Sequence, residues 1–557
     1  MTNNEIADHF SILSKLMDIH GEDSFRAKNY SIAAYNIERM PREAADMDES
    51  ELYATKGIGN STGGKMLELL QTGKLSALED IIARTPAGIL EMMQIKGLGP
   101  KKIALIWKEM GIESVGELEY ACNENRLVNY KGFGAKTQEG ILQNIAFIRA
   151  NQNFRLWQQV EGIANTLVTQ LGKANPGKLF ALAGEMRRQM PVIEFIDIVT
   201  DAPAAILQQQ FGITAGVTTE LANNILLVHA PNQLPIRLHL ADTEGFYTTL
   251  FNTSASTDFL AAFNSSYTIQ PGQSEEAIFA AASLAYIPPA LRERAAIIEK
   301  AAANELPQLV QATDIKGIIH SHSNWSDGSD TIENMAKACI EQGYEYLVLS
   351  DHSQSAFYAN GLKPDRIAAQ HQEIDRLNEQ LAPFRIFKSI EADILNDGSL
   401  DYSDSVLATF DLVIASVHSN LKMTQEKAME RVLAAIRNPY TTILGHPTGR
   451  LLLSRDGYPL DHKLIIDECV KHNVVIEINA HPRRLDLDWQ WIEYAMEAGA
   501  ILSIDPDAHS IAGYHDIHYG VLSAQKGGLT KERNLSSFSL NEFEQQVLGK
   551  KNTVITV

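Results

Sequence analysis

Two histidines two residues apart, His320 and His322 in IIHSHSNWSDGSD, close an apolar run, and Asp327 follows them. In an extended strand that spacing puts both imidazoles on one face, where they can serve one metal site. The arrangement recurs along the C-terminal half: apolar runs end in Asp351-His352, in Glu391 and Asp393, in His418, in His446, and in Asp507 and His509. Six histidines with several carboxylates exceed the needs of one ion, so two or three divalent cations are expected. Mixed nitrogen and oxygen ligands accept Mn²⁺ or Zn²⁺, with Fe²⁺ or Mg²⁺ as further alternatives. Clustered ions suit hydrolysis of a phosphate ester, since they acidify a water and neutralise phosphoryl charge. Arg450 in GHPTGR, and Arg483 or Arg484 in HPRRLD, are candidates to hold the phosphate.

Those side chains meet only if the strands that carry them share a mouth. The strand candidates are KGIIHSHS, YEYLVLSDHS, RIFKSIEADI, FDLVIASVHS, TTILGHPTG, VVIEINAHP and ILSIDPDAHS, and helical stretches such as EKAMERVLAAIRN separate most of them. Alternating strands and helices imply a parallel sheet, and about seven such units without a reversal imply a closed barrel. In a parallel barrel all the strand ends converge on one face.

The motifs HSHSNWSDGSD, SDHS, IEADIL, ASVHS, GHPTGRLLL, EINAHPRRLDL and DPDAHS resemble the PHP (polymerase and histidinol phosphatase) domain, and more narrowly the PHP domain joined to bacterial family X DNA polymerases. The resemblance implies a distorted (β/α)7 barrel with nine ligands for three ions: His320, His322, Asp327, His352, Glu391, His418, His446, Asp507 and His509. Of these, His320, His322, Glu391, His418 and Asp507 are assigned to catalysis. The activity implied is a 3′–5′ exonuclease or related phosphoesterase. The chain departs from the family at His481, where asparagine is usual, and His481 joins Arg450 and Arg483 as a candidate phosphate contact.

The first ~150 residues show apolar positions at helical spacing, broken by KGIGNSTGGK, KGLGPKKIA and KGFGAKTQEG. A Gly-x-Gly turn opening a helix presents backbone amides to an anion, and neighbouring lysines add attraction. The turns are similar to helix–hairpin–helix elements, which hold DNA phosphates; the residues singled out are Gly57, Gly59, Lys65, Gly97, Gly99, Lys101, Lys102, Gly132, Gly134 and Lys136. Residues 22–37 resemble the small N-terminal domain of the same polymerases; Lys28 there is read as a solvated lysine or one near a phosphate, not as a lyase nucleophile.

In the middle region the same resemblance implies a nucleotidyltransferase palm, which needs three carboxylates for two Mg²⁺ ions. Gly184, Arg187 and Arg188 match the family, but Glu185 stands at its serine, Phe195 at its first aspartate and Arg237 at its third, leaving Asp197. Glu194 and Asp242 are wrongly placed to substitute. The thumb is short. The palm is therefore expected to be a relic with its polymerase activity lost.

A net charge of −21 argues against bulk electrostatic wrapping by nucleic acid, but leaves room for local contacts and suits a site gathering cations. The three cysteines are scattered, no apolar run approaches a membrane span, and no signal-peptide layout opens the chain, so a reduced cytoplasmic protein without a membrane partner is expected. The division expected is 1–150 helical and DNA-binding, 151–290 relic palm and thumb, 291–312 a linker helix, and 313–557 the barrel. The function expected is a metal-dependent phosphoesterase acting as a monomer on DNA ends, gaps or nicks in repair, either as an exonuclease or by processing abasic sites or 3′ ends. The alternatives are a histidinol-phosphate-type phosphatase, a residually active polymerase and a non-enzymatic DNA scaffold.

Overall fold

The computed structural model describes the chain apart from residues 56, 124–126, 128–129, 131, 152–153, 232, 357–358, 454–455 and 556–557; for 120, 123, 148–151 and 549–555 it describes the backbone alone. The chain forms two compact units, 1–152 and 153–557.

The first unit is helical, opening with Asn3–His20 and Ser24–Glu38. Thr2 and Glu5 form a capping box at the start of the first, and Gly21 ends it in the left-handed region at φ +73°. One apolar cluster runs from Ile6 to Ile145, so the N-terminal helices and the three glycine turns share a single core.

The second unit contains two sheets of consequence. Strands β1 (Arg155–Leu156) and β3 (Val192–Ile193) pair as a small ribbon. A five-stranded sheet has the order β2 (Phe180–Leu182), β4 (Ile196–Thr200), β7 (Ile236–Leu240), β6 (Ile225–His229), β5 (Thr218–Ala222). The expected strand VIEFIDIVT is thus two strands. Glu194 N donates to Glu185 Oε2 (2.6 Å) and the Phe195 ring packs under Arg237, which breaks the run between β3 and β4.

The expected linker helix over 291–312 reduces to Ala296–Ala302. Arg292 is pulled out of it and fully buried: its Nε donates to Ile287 O (2.8 Å), and its guanidinium lies 5.0 Å from the ring centre of Phe279 and 5.3 Å from that of Phe251. Val310 already belongs to the barrel core, with its N–H on Leu529 O (2.9 Å).

Strands β8 (Gly317–Ser321), β9 (Tyr346–Leu349), β10 (Arg385–Asp393), β11 (Leu412–Ser416), β12 (Thr441–Leu444), β13 (Val475–Asn479) and β14 (Leu502–Asp505) form one parallel sheet in sequence order. A bridge from Ser321 to Ala508, just beyond β14, brings its edges together into a nearly closed barrel. Helices cover the outside, and apart from two positions in β10 every strand residue is buried. This is why the strands read as continuous apolar runs with no alternation.

Candidate metal centre

All seven strands present their C-terminal ends to one mouth. The extended geometry expected for His320 and His322 is not what places them. The β8–β9 register slips between Ile318 and Ser321, and His320 sits at φ +60°. The bulge re-aims the imidazole inward, His322 follows just past the strand, and the two ring centres lie 5.3 Å apart. Asp507 (φ +53°) and His446 (φ +22°) are also left-handed, a conformation costing a non-glycine residue on the order of 1–3 kcal/mol.

Glu391, wholly buried at the end of β10, is the hub. Its Oε1 lies 3.0 Å from His446 Nε2, 3.1 Å from His418 Nε2 and 3.3 Å from His320 Nε2; its Oε2 lies 2.9 Å from His352 Nδ1 and 3.7 Å from His322 Nε2. Asp507 Oδ1 stands 3.1 Å from His322 Nε2 and 3.6 Å from His320 Nε2. Asp327 reaches His509 Nε2 at 3.5 Å and His352 Nε2 at 3.8 Å. The nine residues singled out by sequence therefore converge. Three overlapping groups offer ligand atoms within 4.8 Å of one another: His322, Asp327, His352 and His509; His320, His322 and Glu391; His352, Glu391 and His418.

This donor set fits divalent cations. His320 Nε2, His322 Nδ1 and His446 Nδ1 are buried without a hydrogen bond, an expensive state for a polar atom unless another ligand satisfies it. The electrostatics agree. Burial pulls His320 down, but Glu477, Asp507 and Glu391 outweigh it and hold the ring well above its ordinary value. Burial likewise lowers His418, but Glu391 and Asp393 outweigh it and carry the ring up to about 10. Against burial, Asp327 and Asp507 raise His509 to about 9. Burial, with His509 and His352 beside it, drives His322 down to about 3. Burial resists ionisation of Glu391 and Asp507, yet the surrounding histidines hold both well below the carboxylate range.

Two strand-end carboxylates have other tasks. Asp393 Oδ1 lies 2.6 Å from His418 Nδ1, on the far side of the ring from Glu391. Asp351 is a clamp: its carboxylate accepts from Ser323 N (2.8 Å), Ser323 Oγ (2.8 Å), Ser326 Oγ (2.5 Å) and Gln370 Nε2 (2.6 Å), fixing the loop that carries Asp327. Sequence reasoning missed Glu477, buried in β13 with Oε2 2.8 Å from His320 Nδ1. An acidic residue inside the otherwise apolar VVIEIN was the available signal.

The candidate phosphate contacts are revised. Arg450 is committed to the neighbouring loop, pairing with Asp488 and donating to the carbonyls of Arg484 (2.8 Å) and Leu485. Arg483 is exposed, and Arg484 Nε stands 3.7 Å from Asp507 Oδ2 at the mouth. His481 is half-buried nearby, and its Nδ1 accepts from Arg483 N (3.2 Å).

In the helical unit the three turns are built alike. Gly57, Gly97 and Gly132 have φ of +89°, +87° and +98°. Ile58, Leu98 and Phe133 plug the core. Gly59 and Gly99 cap the helices Asn60–Thr72 and Pro100–Lys108, and Gly134 stands immediately before Ala135–Asn151. A Cβ on Gly59, Gly99 or Gly134 would meet nothing within 4 Å, and none of the three has a positive φ, so neither conformation nor packing demands glycine there. Lys101 and Lys136 are exposed and Lys65 half-buried. Lys102 Nζ turns back onto Gly97 O at 3.2 Å. Lys56 and Lys131, which open two of the turns, lie outside the described residues.

In the five-stranded sheet, Asp197 is taken: Arg237 Nε and Nη2 contact its two oxygens at 2.7 Å each, and His239 Nε2 lies 2.7 Å from Oδ1. A Cβ on Gly184 would come within 2.1 Å of the same carboxylate. Arg187 pairs with Glu275 and donates to Ser254 Oγ (3.0 Å), while Arg188 holds Glu293 at 3.0 Å. Asp242 accepts from Gly245 N (2.6 Å) at the start of the next helix.

Family models match a helix-hairpin-helix domain over residues 1–75, a SAM-like helix-hairpin-helix tandem over 89–145 and a PHP domain over 319–481. The chain is 33% identical over 568 residues to the DNA polymerase/3′-5′ exonuclease PolX of Bacillus subtilis (strain 168), covering 98% of this chain and 99% of that protein. It is 27% identical over 250 residues to a probable phosphatase of Thermoanaerobacter sp. (strain X514), covering 42% of this chain and 95% of that protein. It is 31% identical over 207 residues to the probable phosphatase YcdX of Escherichia coli O127:H6, covering 34% of this chain and 78% of that protein.

Proposed function

The chain belongs to the bacterial family X DNA polymerases that carry a C-terminal PHP domain, and from that premise we propose that it is a metal-dependent DNA phosphoesterase, a 3′–5′ exonuclease whose polymerase activity is lost. The observation that carries the reading is Glu391, a buried carboxylate ringed by His320, His322, His352, His418 and His446 at one barrel mouth. We assign the nine converging residues as ligands of three ions, Mn²⁺ or Zn²⁺ in the first instance. Ions bound there supply the Lewis acidity that hydrolysis of a phosphodiester requires. The chain's own residues do the rest. Asp507 and Glu391 concentrate negative charge where cations must gather, Asp351 fixes the loop of Asp327, and Arg484 places a guanidinium beside Asp507 to hold the phosphate that arrives.

The helix–hairpin–helix turns bind the DNA backbone at ends, gaps or nicks. Bare Gly59, Gly99 and Gly134 support this, because omitting the side chain lets a phosphate approach the amides of the helix start. The palm serves as a scaffold, since its remaining carboxylate and both its arginines are occupied by protein partners. The protein acts as a monomer.

The deciding experiment supplies labelled single-stranded and gapped DNA with Mn²⁺, beside histidinol phosphate, to the wild type and to a His320→Ala/His322→Ala variant. DNA is expected to shorten from its 3′ end only with the wild type. Shortening that survives in the variant would remove the barrel from the reaction. Turnover of histidinol phosphate alone would make the protein a small-molecule phosphatase. Primer extension with dNTPs and Mg²⁺ would show the palm still working.

A further inference from the structure

Glu477, an acidic side chain inside the barrel, is not among the nine candidate ligands. Glu477 points from β13 into the barrel interior and is fully buried. Its Oε2 lies 2.8 Å from His320 Nδ1. Its Oε1 accepts from Asn479 Nδ2 at 2.7 Å, and the same amide nitrogen lies 3.1 Å from Asp507 Oδ2. The interior has been cleared for it: a Cβ at Gly445 would stand 3.1 Å from Glu477 Oε2 and 2.3 Å from Ser416 Oγ.

The geometry divides the His320 ring into two sides. Nδ1 is closed by Glu477. Nε2 makes no hydrogen bond and faces Glu391 Oε1 at 3.3 Å and Asp507 Oδ1 at 3.6 Å. Whichever of the pair carries the shared proton, the nitrogen on the Glu477 side cannot take an ion. His418 repeats the pattern, with Asp393 on Nδ1 and Glu391 on the Nε2 side. A ligating imidazole whose second nitrogen is held by a carboxylate is fixed in orientation and made a better donor.

We propose that Glu477 is a positioning residue of the metal centre, fixing His320 so that Nε2 rather than Nδ1 is offered to the ions; the proposal rests on the metal-dependent reading above. Glu477 itself takes no ion. It acts through His320, and Asn479 ties it to Asp507, so two candidate ligands from opposite barrel edges are set by one buried carboxylate.

The test uses the full chain and Mn²⁺ alone. Free Mn²⁺ is followed by its EPR signal during titration of the wild type, Glu477→Ala and Glu477→Gln, and the melting temperature of each metal-free protein is recorded. Loss of an outer partner of this kind costs roughly 10–100-fold in metal affinity. Glu477→Ala is expected to show a loss in that range, and Glu477→Gln, which keeps an oxygen for Nδ1 but sets its amide nitrogen against Asn479 Nδ2, to recover part of it. Wild-type Mn²⁺ affinity in Glu477→Ala overturns the proposal, even if its melting temperature falls, because the pair would then be structural only.

If Glu477→Ala does not fold, a crystal of the wild type with Mn²⁺, located by anomalous scattering, decides. An ion on His320 Nε2 with Glu477 on Nδ1 supports the assignment, and an ion bound by the Glu477 carboxylate overturns it. None of these measurements needs DNA. A wild type that binds Mn²⁺ but leaves DNA intact would sink the nuclease reading and not this one.

Discussion

Arg237 and Asp197 lie opposite each other on the parallel strands β7 and β4, joined by two contacts of 2.7 Å. The guanidinium also lies 3.9 Å over the Phe195 ring. Phe195 and Arg237, which stand where the resemblance expects polymerase carboxylates, thus pack on each other, and Arg237 with His239 occupies the carboxylate of Asp197. Burial opposes ionisation of Asp197, but His239 and Arg237 overcome it and hold the group below its ordinary value. A carboxylate so engaged has neither the free oxygen nor the unbalanced charge that a divalent cation would seek.

The pair makes a prediction about stability. Asp197 is 1% exposed, so removing Arg237 leaves a buried charge with only His239 against it. Arg237→Ala is expected to lower the stability of the palm by about 3 kcal/mol. Limited proteolysis and a urea titration would register it, while Mn²⁺-dependent DNA hydrolysis at low temperature stays within about twofold, as expected of a site outside the reacting centre. Loss of hydrolysis in a folded Arg237→Ala protein would give the palm a direct part in the reaction.

A second buried network predicts a pH dependence. Glu275, 3% exposed, lies between Arg187 and Arg292. Burial raises its pKa, but the hydrogen bond from Arg187 and the charge of Arg292 prevail and hold it below 4.5. A depressed folded-state pKa contributes stability that is present above the unfolded value and lost as pH falls through the folded one. Melting temperatures of the wild type and Glu275→Gln should therefore differ most at pH 6 and converge as pH falls below about 4.5. A gap that stays constant to pH 3 would mean that Glu275 titrates alike in the folded and unfolded chain.

The barrel was legible from sequence because the strands are buried on both faces at all but two positions and six of the seven lead into a candidate ligand. Strand identity and convergence follow from those two facts alone. Less legible was whatever depends on tertiary partners. The bulge at His320 leaves no mark in the pattern of residues, since its left-handed φ is imposed by register with β9. Arg450 and Arg484 look alike in sequence, and only the position of Asp488 decides which one is consumed by a loop. The helix expected over 291–312 has good periodicity, but burial of Arg292 among aromatic rings overrides it. Glu477 escaped notice because its role is defined by what lies 157 residues away.

The glycine turns offer a prediction with an internal control. Gly97 has φ +87° and Gly99 has φ −78°, and a Cβ at either would meet nothing within 4 Å. Gly97→Ala is expected to destabilise the helical unit by about 1 kcal/mol, because alanine must adopt the left-handed region. Gly99→Ala should leave melting unchanged yet weaken DNA binding, since its methyl group would stand where the phosphate approaches the helix start. Thermal melting reads the first effect, and fluorescence anisotropy with a gapped duplex at two salt concentrations reads the second. Unchanged DNA affinity in Gly99→Ala would take this turn out of the interface.

Metal binding should be proton-linked, with a sign fixed by the histidines. Without ions, His418 titrates near 10 and His509 near 9, and His320 is held well above its ordinary value, so all three carry protons at pH 7. An ion takes only the deprotonated ring, so binding must expel them. Calorimetric titration of Mn²⁺ in buffers of different ionisation enthalpy should show release of about two to three protons at pH 7. Affinity should rise as pH increases from 6 to 8. A Mn²⁺ affinity independent of pH across that interval would mean that the ions do not bind at these histidines.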